Sequence, residues 1–182
     1  VSLHSSAVST LSEWVAPSAA QEALRHAYLG FLAAREDACA RSCAPGHLTA
    51  SSLVLDATGT RALLTLHPRI GRWVQLGGHC EPGDASLEDA ALREAREESG
   101  IADLVISPTP IHLDVHPITC SLGVPTRHFD VRFLVRSLTD APPVRSAEST
   151  DLAWWPLSAP PPDSPDLVPL FASARESSTR TP

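Results

Sequence analysis

A chain of 182 residues with 43% apolar content is long enough for one domain with a proper hydrophobic core and cramped for two. Its formal charge of -7 argues against general affinity for nucleic-acid backbones, which requires a basic face. No run approaches the roughly 18 apolar residues of a membrane span, and the N-terminus lacks the basic-then-apolar layout of a secretory signal, so a cytoplasmic protein is expected, with neither membrane nor nucleic acid as partner.

Residues 1–17 are Ser-rich and weakly patterned, and no element is predicted there. Ser18 is placed to cap a helix running to about Ala38, in which Leu24, Tyr28, Phe31 and Leu32 recur at helical spacing and are best explained by packing. From Leu48 the pattern turns to strands: 49–56 and 62–67 read as a hairpin around Asp56-Ala57-Thr58-Gly59-Thr60, and 73–76 as a further short strand. A helix follows over Leu87–Ser99, with Ser86 as N-cap, Asp89 placed to reach back, and Gly100 where a left-handed C-terminal cap is needed. Two more strands, 111–116 and 128–135, are joined by a loop containing Pro117, Gly123 and Pro125. A last strand over 152–155 precedes a Pro-rich stretch, a helix over 167–175 and a disordered tail at 176–182. These elements divide the chain into an N-terminal helical extension (1–46), a central domain (47–158) and a Pro-rich segment with a C-terminal helix or tail (159–182).

Cys39, Cys43, Cys80 and Cys120 show no C-x-x-C spacing, which argues against a disulfide framework and suits reduced thiols. Cys39, Cys43 and His47 follow at intervals of four, but Pro45 and Gly46 interrupt any helix there and no fourth ligand is evident, so no zinc site is expected at that place.

The chemistry concentrates in the segment 77–101. Gly77-Gly78-His79-Cys80-Glu81-Pro82-Gly83-Asp84 is a glycine-rich loop feeding a helix that carries Arg93-Glu94-Ala95-Arg96-Glu97-Glu98. At about 100° per residue, Glu94, Glu97 and Glu98 fall within an arc of roughly 100°. Like charges at this spacing repel, and only Arg93 and Arg96 offset them within the helix, so a cation is expected there. A hard divalent ion such as Mg²⁺ takes such oxygen ligands together with substrate phosphate. Arg93, beside Glu97 on the helical wheel, is placed to orient and balance the carboxylates. A solvated acidic face is the plain alternative, and the glycine loop, whose backbone can approach a metal or phosphate, weighs against it.

This segment resembles the Nudix box, G-x5-E-x7-R-E-U-x-E-E-x-G-U, and Arg93 to Ile101 match its second half with Ala95 at the aliphatic position U. One departure exists: Asp84 stands at the first acidic position, and eight residues instead of seven separate it from Arg93, as a one-residue insertion would produce. The resemblance implies an α/β fold, a Nudix-like α/β/α sandwich with a mixed sheet, here preceded by the helical extension. It implies Mg²⁺ or Mn²⁺ held by Glu94, Glu97, Glu98 and the Gly77 carbonyl, with Glu94 or Glu98 taking a proton from the attacking water. Arg93 joins that catalytic set, and Glu148, six residues before Trp154, stands where the family often adds a carboxylate.

His112, Asp114 and His116 share one strand face, and His128, Asp130 and Arg132 another, so the two would lie side by side if those strands pair. A solvated sheet face with internal salt bridges is the simpler expectation; otherwise these histidines line the substrate cleft or hold an additional metal. Arg72 and Trp73 are further candidates, to hold phosphate and stack on a base. The expected partner is a small-molecule diphosphate, a nucleoside diphosphate linked to another group: a dinucleotide, a nucleotide sugar, ADP-ribose or a nucleoside triphosphate. A homodimer stays open. Two alternatives share the resemblance: an isomerase of isopentenyl diphosphate using histidine- and glutamate-bound metal, and a Nudix-like ligand sensor. The nearly complete box favours hydrolysis over both.

Overall fold

The computed structural model describes residues 2–119 and 123–180, with side chains to residue 177. Its elements in chain order are α1 (Leu3–Glu13), α2 (Ala19–Ala34), β1 (His47–Leu55), β2 (Arg61–His67), β3 (Arg72–Val74), β4 (Leu76–His79), α3 (Leu87–Ser99), β5 (Leu104–Ile106), β6 (His112–Thr119), β7 (Pro125–Ser137), β8 (Asp151–Pro156) and α4 (Leu167–Arg180). One mixed sheet runs in the order β3-β2-β1-β7-β5, with β4 also pairing β1, β6 pairing β7 and β8 pairing β2. The β1–β7 pair is parallel and every other pair is antiparallel.

β1 organises the molecule because it is buried along its whole length. Side chains alternate across a strand, so Leu48, Ala50 and Val54 leave by one face and Leu53 and Leu55 by the other. The first set packs with α1, α2 and α3 in two apolar clusters containing Leu11, Tyr28, Leu87, Ala91 and Ala95. The second packs against Leu167, Leu170 and Phe171 of α4. Helices therefore cover both faces of a mixed sheet, the α/β/α sandwich that the resemblance implied.

Several elements differ from expectation. The weakly patterned start forms α1, because Ser2 and Ser5 build a reciprocal capping box and Ala7 and Leu11 bury against the core. Ser18 does cap α2, but that helix stops at Ala34 instead of Ala38. The strand expected over 73–76 is two, β3 on β2 and β4 on β1, broken at Gln75. β6 runs on through Pro117, which sits opposite Arg127 instead of in the loop. β5 was not foreseen, and α4 continues through Arg180 where a disordered tail was expected from Glu176. α3 has the expected bounds and cap residues: Ser86 accepts from the Asp89 N–H, with no return bond from the Asp89 side chain among the described residues, and Gly100 closes the helix at φ 67. Cys39, Cys43 and Cys80 are free thiols, and Cys120 lies outside the described residues.

Candidate active site

α3 brings its carboxylates against the backbone of β4. The Gly77 N–H donates to Glu98 Oε2 at 3.0 Å. At Gly78 a Cβ would stand 2.7 Å from Glu94 Oε1, so a side chain there would push the Glu94 carboxylate aside. Glu94 is 14% exposed at its side chain whereas Glu97, one turn further, is 60% exposed. The three acids expected on one face are thus graded from the β4 backbone outward to solvent.

Arg93 ties this face together. Its guanidinium donates to both oxygens of Asp84 (3.1 and 3.0 Å), to the His79 carbonyl (3.0 Å), to Glu94 (3.0 Å) and to Glu97 (3.2 Å). Asp84 also accepts from the Glu81 N–H at 2.7 Å. Burial raises the Asp84 carboxyl, but the bonds from Arg93 and Glu81 outweigh it and hold the group below its usual range. The inserted residue therefore leaves Asp84 as the anchor of Arg93. In turn Arg93 is held well above its usual range by these carboxylates, Asp84 first.

Burial pushes the Glu98 carboxyl up to about 8, against the Gly77 N–H and with the charges of Glu94, Glu148 and Glu97 adding to the rise. Glu94 is raised for the same first reason, opposed by Arg93. Glu148 lies in the loop before β8, exposed, and its charge acts on both residues. Two half-buried carboxyls, Glu94 and Glu98, whose ionisation is disfavoured by burial and by neighbouring charge, suit a divalent cation, which would relieve both causes at once.

The remaining candidates lie elsewhere on the sheet. Arg72 is exposed and pairs with Asp166 at 3.6 Å, and Trp73 packs edge-on against Trp155 at 5.5 Å beside the α4 cluster. The histidine strands do pair, with His112 opposite Arg132, Asp114 opposite Asp130 and His116 opposite His128. The same rows continue into β1, where His47, Thr49 and Ser51 stand opposite His128, Asp130 and Arg132.

This face is not the solvated one expected. Asp130 and Arg132 are only 3% and 4% exposed. Asp130 accepts from Thr49 (3.0 Å), Ser51 (2.9 Å), Gln75 (3.0 Å) and Arg132 (2.8 Å). Arg132 also reaches Asp114 at 3.0 Å, and Asp114 accepts from His116 Nδ1 at 2.7 Å. His112 is buried and meets the amide of Gln21 at 3.3 Å, its ring pushed down to about 4 by burial and by Arg132. Sequence reasoning missed His47 and His79 as members of this face. Their signal was non-local: His47 begins β1, and β4 sets His79 opposite Thr49.

The NUDIX domain family matches residues 45–173 of this chain. Among solved structures, the MutT protein of Methanosarcina mazei Go1 is similar with a TM-score of 0.56 at 20% identity, over 75% of this chain and 97% of that one. A C. elegans Ap4A hydrolase binary complex gives 0.54 at 21%, over 72% and 95%. The NUDIX domain of Shewanella oneidensis NrtR, complexed with ADP ribose, gives 0.52 at 23%, over 71% and 86%. These structures share the fold, and the family match reaches through the box, the sheet and into α4. The chain belongs to the NUDIX family.

Proposed function

We propose that this enzyme cleaves, with a divalent metal, a diphosphate linkage in a nucleoside diphosphate joined to another group. The observation that carries the reading is the pairing of Glu94 and Glu98 against Gly77 and Gly78, two raised carboxyls on one rigid helix face. Glu94, Glu97, Glu98 and the Gly77 carbonyl would hold Mg²⁺ or Mn²⁺. Bound there, such a cation supplies neutralisation of phosphate charge and makes water a better acid.

The chain's own groups do the rest. Glu94 or Glu98 accepts the proton of the attacking water, and a carboxyl raised toward neutrality is matched to that role. Arg93, anchored by Asp84, fixes where Glu94 and Glu97 point. Glu148 adds negative charge from its loop and is the second candidate base. Arg72, Trp73, His112, His116 and His128 are proposed to reach substrate. For His112 this requires displacing the Gln21 amide.

Ap4A and ADP ribose, named with two of the similar structures, both contain a nucleoside on a phosphate anhydride. A panel of dinucleotides, nucleotide sugars, ADP-ribose, nucleoside triphosphates and isopentenyl diphosphate, each assayed with Mg²⁺, Mn²⁺ or excess chelator, tests the reading. Phosphoanhydride cleavage that vanishes with chelator is expected. Full turnover in chelator, or isomerisation of isopentenyl diphosphate without hydrolysis of any nucleotide, overturns it.

A further inference from the structure

The buried polar face holds a second group of metal-ligating side chains, assembled from three strands. His47 opens β1, His128 stands beside it in the parallel β7, and His79 ends β4 opposite Thr49. Their ring centroids are 5.1 Å (His47–His79), 5.0 Å (His47–His128) and 5.0 Å (His79–His128) apart. One nitrogen from each ring lies within 4.8 Å of the others.

A separate observation points to a ligand. His47 is 1% exposed, and its Nδ1–H donates to the Cys43 carbonyl at 3.3 Å, so Nε2 carries the lone pair. Both His47 Nε2 and His128 Nε2 are buried without a hydrogen-bond partner. Leaving a buried polar atom unpaired costs on the order of 1–3 kcal/mol, and two such nitrogens in one cluster of rings call for a common partner.

We propose that His47, His79 and His128 form a binding site for a first-row transition cation of the Zn²⁺ class, distinct from the Mg²⁺ site of α3. Imidazole suits Zn²⁺, Co²⁺ and Ni²⁺, whereas Mg²⁺ takes oxygen ligands. A ligating histidine commonly donates its other N–H to a backbone carbonyl, as His47 does to Cys43. Three histidines leave a fourth position open.

His116, 5.4 Å from His128, is turned to Asp114 and stands outside the trio. Alternation along β4 sends His79 to the face opposite Gly78, where Glu94 lies, so the two sites share the strand but not its face. Neither cysteine of the C-x3-C-x3-H spacing joins this group, and Cys43 Sγ turns to Asp37.

The test uses the whole chain, stripped by chelator and titrated with Zn²⁺ and with Co²⁺. One tight equivalent of Zn²⁺ is expected, not displaced by millimolar Mg²⁺, with Co²⁺ absorption in the visible range. His47→Gln and His128→Gln should each weaken it by roughly 100-fold, as loss of a ligand does, and Glu98→Gln should leave it unchanged. X-ray absorption of the Co²⁺-loaded wild type, which needs no variant to fold, should show imidazole ligation. Absence of a tight equivalent, an all-oxygen shell, or binding lost with Glu98→Gln and kept by both histidine variants would overturn the proposal while leaving the hydrolase reading intact.

Discussion

Two faces of β4 present opposite problems of charge. On one, Glu94 and Glu98 of α3 are acids that burial pushes toward their neutral form. On the other, His79 and His128 are bases that burial also pushes toward their neutral form. The same desolvation raises a carboxyl and lowers an imidazole, because in each case it penalises the charged state. A cation reverses the first effect by restoring the carboxylate, and it exploits the second by meeting a lone pair already free of protons. Ion pairs stand next to these groups: Arg93 donates to both oxygens of Asp84, and Asp130 takes four hydrogen bonds, one of them from Arg132. Arg93 fixes the carboxylate cluster directly, and the Asp130–Arg132 pair lies beside His128 on the histidine face.

The largest expected effect comes from breaking those supports. Arg93→Ala leaves Asp84 buried without its counter-ion and frees Glu94 and Glu97, and Asp130→Ala leaves buried Arg132 with Asp114 alone and takes the acceptor from Thr49, Ser51 and Gln75. Each should lower unfolding stability by roughly 3–5 kcal/mol, the usual result of removing one partner of a buried pair. Chemical denaturation measures this. If Arg93→Ala costs much less than Asp130→Ala, the helix-side cluster is less dependent on its anchor than the sheet side.

Next in size is the loss of turnover. Glu94→Gln, Glu97→Gln and Glu98→Gln should each reduce kcat by roughly 100-fold or more with saturating Mg²⁺, as loss of a ligand or base does. His116→Ala and His128→Ala should act on KM more than on kcat if the sheet side only binds substrate. Steady-state kinetics on the best substrate of the panel separates the two patterns, and wild-type turnover in all three glutamine variants would remove the carboxylates from the mechanism.

The pH dependence of metal-free stability sharpens the contrast further. Glu98, raised in the folded state, contributes stability that is present below about pH 4.5 and lost as pH rises through about 8. His79 and His128, lowered in the folded state, contribute stability that is present above about pH 6.5 and lost as pH falls toward about 4 and 3. Above pH 6.5 His116, raised by its bond to Asp114, loses its contribution alongside the carboxylate arm. Discounted for partial solvent access, that arm is worth about 1–2 kcal/mol at pH 8. Thermal melts in chelator should show stability falling from pH 6.5 to 8 in the wild type and falling less steeply in Glu98→Gln. A parallel fall in both would show that Glu98 titrates normally.

Why one face was readable in the sequence and the other was not follows from how each is built. Glu94, Glu97 and Glu98 lie within one helix, where a fixed rotation per residue converts spacing directly into a shared face. The caps of that helix, Ser86 and Gly100, are equally local, and α3 was bounded correctly. The histidine face needs register among β1, β4, β6 and β7, separated by up to 81 residues at Thr49–Asp130. A strand's alternation shows which residues share its face but not which strand stands beside it. So the two polar stripes of β6 and β7 were visible, their solvation was misjudged, and His47 and His79 were not seen to join them. α1 was hidden differently: its Ser-rich start reads as loop until Ser2 and Ser5 are recognised as a cap.

The smallest expected effect tests whether position on α3, and not acidity alone, decides function. Glu88 belongs to the same helix but turns toward α1, where its Oε1 accepts from Thr10 Oγ1 at a long 3.4 Å and its Oε2 is buried without a partner. Glu88→Gln keeps an acceptor for Thr10 and supplies an amide donor in place of an unpaired oxygen. Stability should change by less than about 0.5 kcal/mol, the range of substitutions away from cores and networks. Turnover should stay within about twofold of wild type, because no ligand or base is lost. Denaturation and kinetics on Glu88→Gln beside Glu98→Gln decide the matter. Equal damage from both would mean that the total charge of α3, and not the face turned to Gly77 and Gly78, governs activity.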